Sequence, residues 1–290
     1  MTCKVNAIEA AALFGKTINS GHSPAPPSDF FLIAYARKGM YLHFRIRSSV
    51  LEVIVDMPAA NPEAYHSSVI HSAQHGDQAA RSKAIEHIVV AHWKPLYKYL
   101  RAQYRFSHEE AWTITLNFLP LLEEKTFFAR FDGKRAPLRE FIRQKLDVFV
   151  PTPNSRKAMA PSLAIDFAGA DAEFVADQLA PDQSGTAYFN NEWVRNIFTL
   201  AVEELYNKLA AEGRSRDFDL FMKLDLQDRS GDQRVSLEAI ANELAMPMGD
   251  AWNSLANTRQ RFQSILVDLI RSFSSSDSEF RREAHAFIRS

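Results

Sequence analysis

The sequence predicts an all-α protein, with two helical domains joined by a flexible linker and an extension at the N-terminus. Three observations carry this expectation. From about Gly76 onward, apolar residues recur at the three-to-four-residue spacing of a helix face. Good helix starts and breakers punctuate that pattern at intervals suited to ordinary globular helices. Pro151, Pro153, Pro161 and the stretch from Ala168 to Gly185, rich in Ala, Asp, Gly and Gln with no sustained apolar stripe, divide the chain. The expected organisation is an extension over residues 1–66, a first domain over 67–158, a linker over 159–188 and a second domain over 189–290.

In the extension, residues 23–28 (SPAPPS) are a proline-rich breaker, and residues 41–47 (YLHFRIR) alternate as an edge strand does. Met57 would serve as an alternative start, which makes residues 1–56 a separable stretch. Asp77 is a good N-cap for a helix whose apolar stripe runs through Ala80, Ala84, Ile85, Ile88, Val89 and Trp93. Pro95 follows, and Leu96, Tyr97, Tyr99 and Leu100 continue the apolar run. Ser107 and Glu110 have the spacing of a capping box ahead of Ala111, Ile114, Phe118, Leu121 and Leu122. After Gly133 and Pro137, the residues Leu138, Phe141, Ile142, Leu146 and Phe149 mark a fourth helix.

The second block opens with the stripe Phe189, Trp193, Ile197, Leu200, Ala201 and Leu205, ended by Gly213. A short apolar segment from Phe218 to Leu226 follows, with Gly231 as a breaker. A helix from Ser236 to Leu244, a brief turn and a long helix from about Gly249 to Ser272 complete the pattern.

Composition narrows the function classes. The chain has 290 residues, 46% hydrophobic and 24% charged, which suits a globular fold rather than a disordered or fibrous one. Its formal net charge of −1 supplies no global attraction to nucleic acid, so DNA binding would have to come from local patches. The single cysteine, Cys3, excludes an internal disulfide and a cysteine-rich zinc site. No apolar run approaches the ~20 residues that span a bilayer, so no membrane partner and a cytoplasmic location are expected. Among the nine histidines, His71 and His75 lie one turn apart, but no H-E-x-x-H arrangement accompanies them. The adjacent pairs Glu109-Glu110, Glu123-Glu124 and Glu203-Glu204 lie ~100° apart around a helix and do not form acid/base dyads. With no phosphate loop or nucleophile elbow either, no enzymatic activity, metal or cofactor is expected.

Two segments point to nucleic acid. Residues 236–255 (SLEAIANELAMPMGDAWNSL) read as a helix-turn-helix, with Ile240, Ala241, Leu244, Ala251 and Leu255 facing inward and Trp252, Asn253 and Asn257 outward. The second helix of such a unit can lie in the major groove; an ordinary αα-hairpin is the competing reading. Arg130 to Lys157 holds eight Lys or Arg against three acids, with Phe141 and Phe149 interleaved, a pattern suited to phosphate tracking and base stacking. A solvated basic face is its structural alternative.

Together these segments resemble a sigma-70-type factor of the extracytoplasmic-function class, over roughly residues 67–290. The run from Ser68 to Asp77 followed by Ala79-Ala80-Arg81 is similar to the start of the first sigma domain, and His92-Trp-Lys-Pro-Leu-Tyr-Lys-Tyr-Leu-Arg101 resembles its Trp, Pro, Leu-Tyr, Tyr-Leu-Arg helix. Ser107-His-Glu-Glu-Ala111 with Phe118 and residues 121–125 keeps the spacing of the next helix. Leu138-Arg-Glu-Phe-Ile142 resembles the Phe-Arg-Ser-Phe-Leu helix that follows, and Phe189-Asn-Asn-Glu-Trp193 the opening of the promoter-reading domain.

The resemblance implies a region 2-like bundle and a region 4-like helix-turn-helix domain, with core RNA polymerase, promoter DNA and an anti-sigma factor as partners. It implies that Arg139, Arg143, Lys145, Arg156 and Lys157 meet the melted promoter strand. Arg259 and Arg261 would hold phosphates, while Trp252, Asn253 and Asn257 face bases. Thr113, Leu116 and Asn117 stand where the family offers Asp, Gln and Glu to the polymerase, with Thr115 retained. Ala256-Asn-Thr-Arg259 replaces the family's His-Arg-Leu-Arg, and the basic Lys-Arg-Gly-Gly stretch after the fourth helix is absent. Leu116 beside Phe118 and Leu119, if exposed, would suit a protein partner, which keeps open a sigma-like interaction protein that does not initiate transcription. A stand-alone helix-turn-helix regulator is the third reading.

Overall fold

The computed structural model describes residues 68–150, 165–177, 184–226 and 236–289. Among them are ten α-helices and no strand. The 41–47 alternation lies outside the described residues.

Helix α1 (Val69–His75) starts where the Ser68 side chain accepts from the His71 amide at 3.1 Å. Asp77 then caps α2 (Gln78–Tyr104) through the Ala80 amide at 2.8 Å, as the sequence predicts. α2 runs for 27 residues and does not stop at Pro95. Proline at that position cannot donate to the Ala91 carbonyl one turn back. The orphaned acceptor is filled from another helix: Asn196 Nδ2 donates to Ala91 O at 2.9 Å.

The predicted capping box is present at α3 (His108–Phe118), with Ser107 N donating to Glu110 Oε2 and Glu110 N to Ser107 Oγ. Short 3₁₀ turns at Leu119–Glu123 and Phe128–Arg130 lead to α4 (Leu138–Phe149). Part of the expected linker is helical: α5 (Phe167–Ala176) buries Phe167 and Ala170. Phe167 meets Trp93 and Tyr97 edge-on at 5.2 and 5.4 Å.

α6 (Gly185–Ala211) ends at Gly213, which takes the left-handed φ of 70° that a helix C-terminus asks of its following residue. α7 (Ser215–Phe221) continues as a π turn over Met222–Leu226. α8 (Leu237–Glu243), α9 (Met248–Ser272) and α10 (Asp277–Arg289) complete the order.

The described residues do not show two separate helical domains. α2, from the first block, packs along α6, from the second, and α6 packs on α9, α7 on α9 and α10 on α9. One continuous apolar core results, from Ile70 and Ile88 through Leu100, Phe189, Ile197 and Phe262 to Phe287. The reason is visible on α6: its apolar stripe is wider than one neighbour covers. Phe189 meets Tyr99 of α2 at 5.7 Å, while Phe198 meets Phe262 of α9 at 5.1 Å.

Candidate nucleic-acid interface

The helix-turn-helix expectation rests on α8, a tight turn and α9. Ser236 caps α8 through the Ala239 amide at 3.2 Å. The turn is closed by Met246 N donating to Ala241 O at 2.8 Å, with Ala245 in the left-handed region at φ 51°. Ala251, Ser254, Leu255, Thr258 and Phe262 bury the inner face of α9. Trp252, Asn253 and Asn257 then share its outer face, as the 3–4 spacing predicts, and Trp252 is 58% exposed beside the exposed Met248.

The charge around this face is unusual for a phosphate-facing surface. Residues 236–258 contain Glu238, Glu243 and Asp250 and no Lys or Arg. The two arginines expected to hold phosphates are engaged within the chain. Arg259 makes a two-pronged contact with Asp225, Nε to Oδ2 at 2.6 Å and Nη2 to Oδ1 at 2.7 Å. That hydrogen bonding outweighs partial burial and raises the guanidinium pKa. Asp225 reaches Arg259 because the π turn carries it there. Arg261 Nη1 donates to both Glu212 oxygens at 2.7 and 2.8 Å, and this hydrogen bonding lowers the carboxyl's pKa.

The basic residues of α4 are also partnered. Arg143 donates to Asp147 at 2.7 Å and to Tyr99 Oη at 3.3 Å. Lys145 lies 5.3 Å over the Phe141 ring. Arg139 is largely covered, its side chain 10% exposed, with its guanidinium 4.8 Å over the Trp193 ring and 2.8 Å from Glu283 of α10. Burial lowers the Arg139 pKa, against the pull of Glu283. Burial likewise pushes the Glu283 carboxyl up to about 7, with Arg139 opposing. The contact is close but off the hydrogen-bond direction, since neither Glu283 oxygen has an aligned donor among the described residues. Arg156 and Lys157 lie outside the described residues.

On α3, Thr113 and Asn117 are partly exposed on one side of the helix, but Leu116 is 6% exposed and belongs to the core. The expectation of an exposed leucine there is corrected: α3 turns Leu116 inward with Ile114, Thr115 and Phe118, and Thr115 Oγ1 bonds back to Ala111 O. What stands exposed on α3 instead is Trp112, stacked on His108 at 6.2 Å.

A charge cluster between α2, α5 and α6 was not legible beforehand. Lys98 is buried within an otherwise apolar run, and its ammonium meets Glu192 at 2.7 Å, Glu173 at 2.9 Å and Asp177 at 3.5 Å. Arg195 closes the cluster onto Asp177 and Glu192 at 2.8 and 2.6 Å. Burial pulls the Lys98 pKa down, but the three carboxylates outweigh it and the net shift is upward. The only signal in the sequence is a lysine on the buried side of an apolar stripe.

Among the described residues no group of three or more His, Cys, Asp or Glu is placed to hold a metal ion, and no helix is long and apolar enough to cross a membrane. Comparison with known proteins finds no matching family model, no matching curated protein and no matching solved structure.

Proposed function

We propose that this chain is a sigma-type transcription protein that docks on core RNA polymerase and brings α9 to promoter DNA. The observation that carries the reading is the α8–turn–α9 unit. Its second helix buries one face and offers Trp252, Asn253 and Asn257 together on the other. Asparagine amides can pair with adenine edges in the major groove, and an exposed indole supplies an apolar or stacking contact. In this reading α1 to α4 form the region 2-like module, α6 to α9 the region 4-like module, and the two separate on the polymerase. An anti-sigma factor would hold them together.

The charge distribution favours a second reading. A face with three acids, an exposed Trp252 and Met248, and neighbouring arginines already paired suits a protein surface better than a phosphate backbone. A sigma-shaped interaction protein would have these properties and no promoter.

Binding of the full chain to core RNA polymerase, in competition with an authentic sigma factor, separates the two. Competition together with promoter-dependent transcription supports the first reading, and absence of both leaves the second. Trp252 and Asn257 are exposed, so Trp252→Ala and Asn257→Ala should change stability by only about 0.5 kcal/mol. In the first reading Asn257→Ala relaxes sequence preference at one base pair, with a loss of about 1–3 kcal/mol in discrimination.

A further inference from the structure

Helix α10 is built against the usual preference of a surface helix. It turns its carboxylates inward, with Glu279 and Glu283 buried, and leaves Arg282 exposed. Solvation favours the opposite arrangement, because a buried carboxylate loses hydration that its partners must replace. Both carboxylates reach the start of α4, and Glu279 also closes the turn that opens its own helix. Glu279 Oε1 accepts from the Leu138 amide at 3.2 Å, and its Oε2 accepts from Ser275 N at 2.7 Å and Ser275 Oγ at 2.6 Å. One turn along, Glu283 sits 2.8 Å from Arg139. Arg282 Nη2 fastens the same helix to Gly133 O at 2.7 Å. Gly133 is the close-approach point, for a Cβ there would collide with the Ser275 hydroxyl and the Glu279 carboxylate.

A helix N-terminus followed by an arginine over a tryptophan is chemistry suited to a nucleic-acid strand. The free amide and Arg139 would take phosphate, and the Trp193 ring would take a base. Here Glu279 occupies the amide and Glu283 the arginine. Phe287 of α10 covers Trp193 at 5.8 Å. Residues four apart on a helix stand about 5–6 Å from one another, so two carboxylates on α10 can substitute for successive anionic groups.

We propose that α10 is an autoinhibitory strap whose Glu279 and Glu283 stand in for strand phosphates at the head of α4, closing a site formed by the Leu138 amide, Arg139 and Trp193. The proposal rests on the reading of α4 as a strand-binding helix and adds how that surface is regulated. While the strap is seated, a single strand cannot reach Arg139.

The test uses the full chain and a labelled mixed-sequence single strand of about 20 nucleotides. Amide hydrogen exchange across residues 277–289 reports the strap independently of DNA. Glu279→Ala with Glu283→Ala should speed that exchange and tighten strand binding at least tenfold, and adding Arg139→Ala should abolish the gain. A chain that binds as tightly unaltered as with both changes, and loses binding on Arg139→Ala alone, keeps the α4 reading and overturns the strap. No binding by any variant, with exchange showing α10 released, overturns the α4 reading and the strap with it.

Should the double change unfold the chain, Glu279→Gln with Glu283→Gln keeps the size of both side chains and removes their charge. That pair should tighten strand binding at least tenfold over the unaltered chain. Equal affinity of the two overturns the strap.

Discussion

His92 shows how a single side chain couples the fold to pH. It is wholly buried, its Nδ1 2.7 Å from Ile88 O and its Nε2 accepting from Trp193 Nε1 at 3.2 Å. Both contacts suit the neutral ring with its proton on Nδ1, since a second proton would point at the Trp193 donor. Burial is the main cause that lowers its pKa from 6.5 to about 4, and Arg139 adds to it. A pKa depressed on folding means that stability is present above pH 6.5 and is lost as pH falls through 4. The full loss is about 3 kcal/mol. Glu283 has the opposite sign: raised from 4.5 to about 7, its contribution is present below pH 4.5 and lost as pH rises through 7. Urea unfolding of the wild type and of His92→Gln across pH 4–7 should therefore give a difference curve that falls on the acid side, and a flat difference would show that His92 is not the titrating group. At the same scale, Ala245 holds a left-handed φ that glycine adopts without strain. Ala245→Gly should stabilise by about 0.5–1 kcal/mol, or about 2 °C in Tm by calorimetry.

At the scale of elements, the helices themselves were legible. Caps at Asp77 and Ser107 are short-range features that form the predicted bonds, and Ser236 caps α8 in the same local way. Pro95 was the misleading signal, because its local rule is to end a helix. α2 continues because Asn196, a hundred residues later, fills the Ala91 carbonyl that the proline leaves open. Asn196→Ala should cost about 1–3 kcal/mol through that unsatisfied acceptor. Combining it with Pro95→Ala, which restores an amide to the helix ladder, should recover most of the loss. An additive double mutant in chemical denaturation would show that the two positions are not coupled. α5 and α10 escaped notice for a related reason. Each leans on a neighbour for most of its stability, and α10 hides acids where a stripe search expects apolar residues.

For the whole molecule, the decisive feature is the packing of α2 on α6 and the charges buried beside it. Lys98 holds Glu173, Asp177 and Glu192 near one another, and removing it leaves the three carboxylates only Lys94 and Arg195 as counter-charges. Lys98→Ala should destabilise by up to about 3 kcal/mol. Lys98→Ala with Glu192→Ala should be less destabilised than the sum of the two single changes. If separate modules are required on the polymerase, variants that loosen this cluster should also exchange amides in α2 and α6 faster without unfolding α9. Uniform loss of protection would show a single cooperative unit instead.

Local rules alone determined that the described part of this protein is helical, where most of its helices begin, and that Trp252, Asn253 and Asn257 share one face of α9. Periodicity and capping act within a few residues, so the order of the chain contains them. Only the tertiary structure decided which charges are available. Arg139, Arg143, Arg259 and Arg261 look alike in a sequence, yet each meets an acid brought to it by folding: Glu283, Asp147, Asp225 and Glu212. Asp147 lies one turn from Arg143, and the other three are 34 to 144 residues from their partners. Coulomb attraction between partners so far apart in the chain depends on where folding places them, and hydropathy spacing does not encode that position.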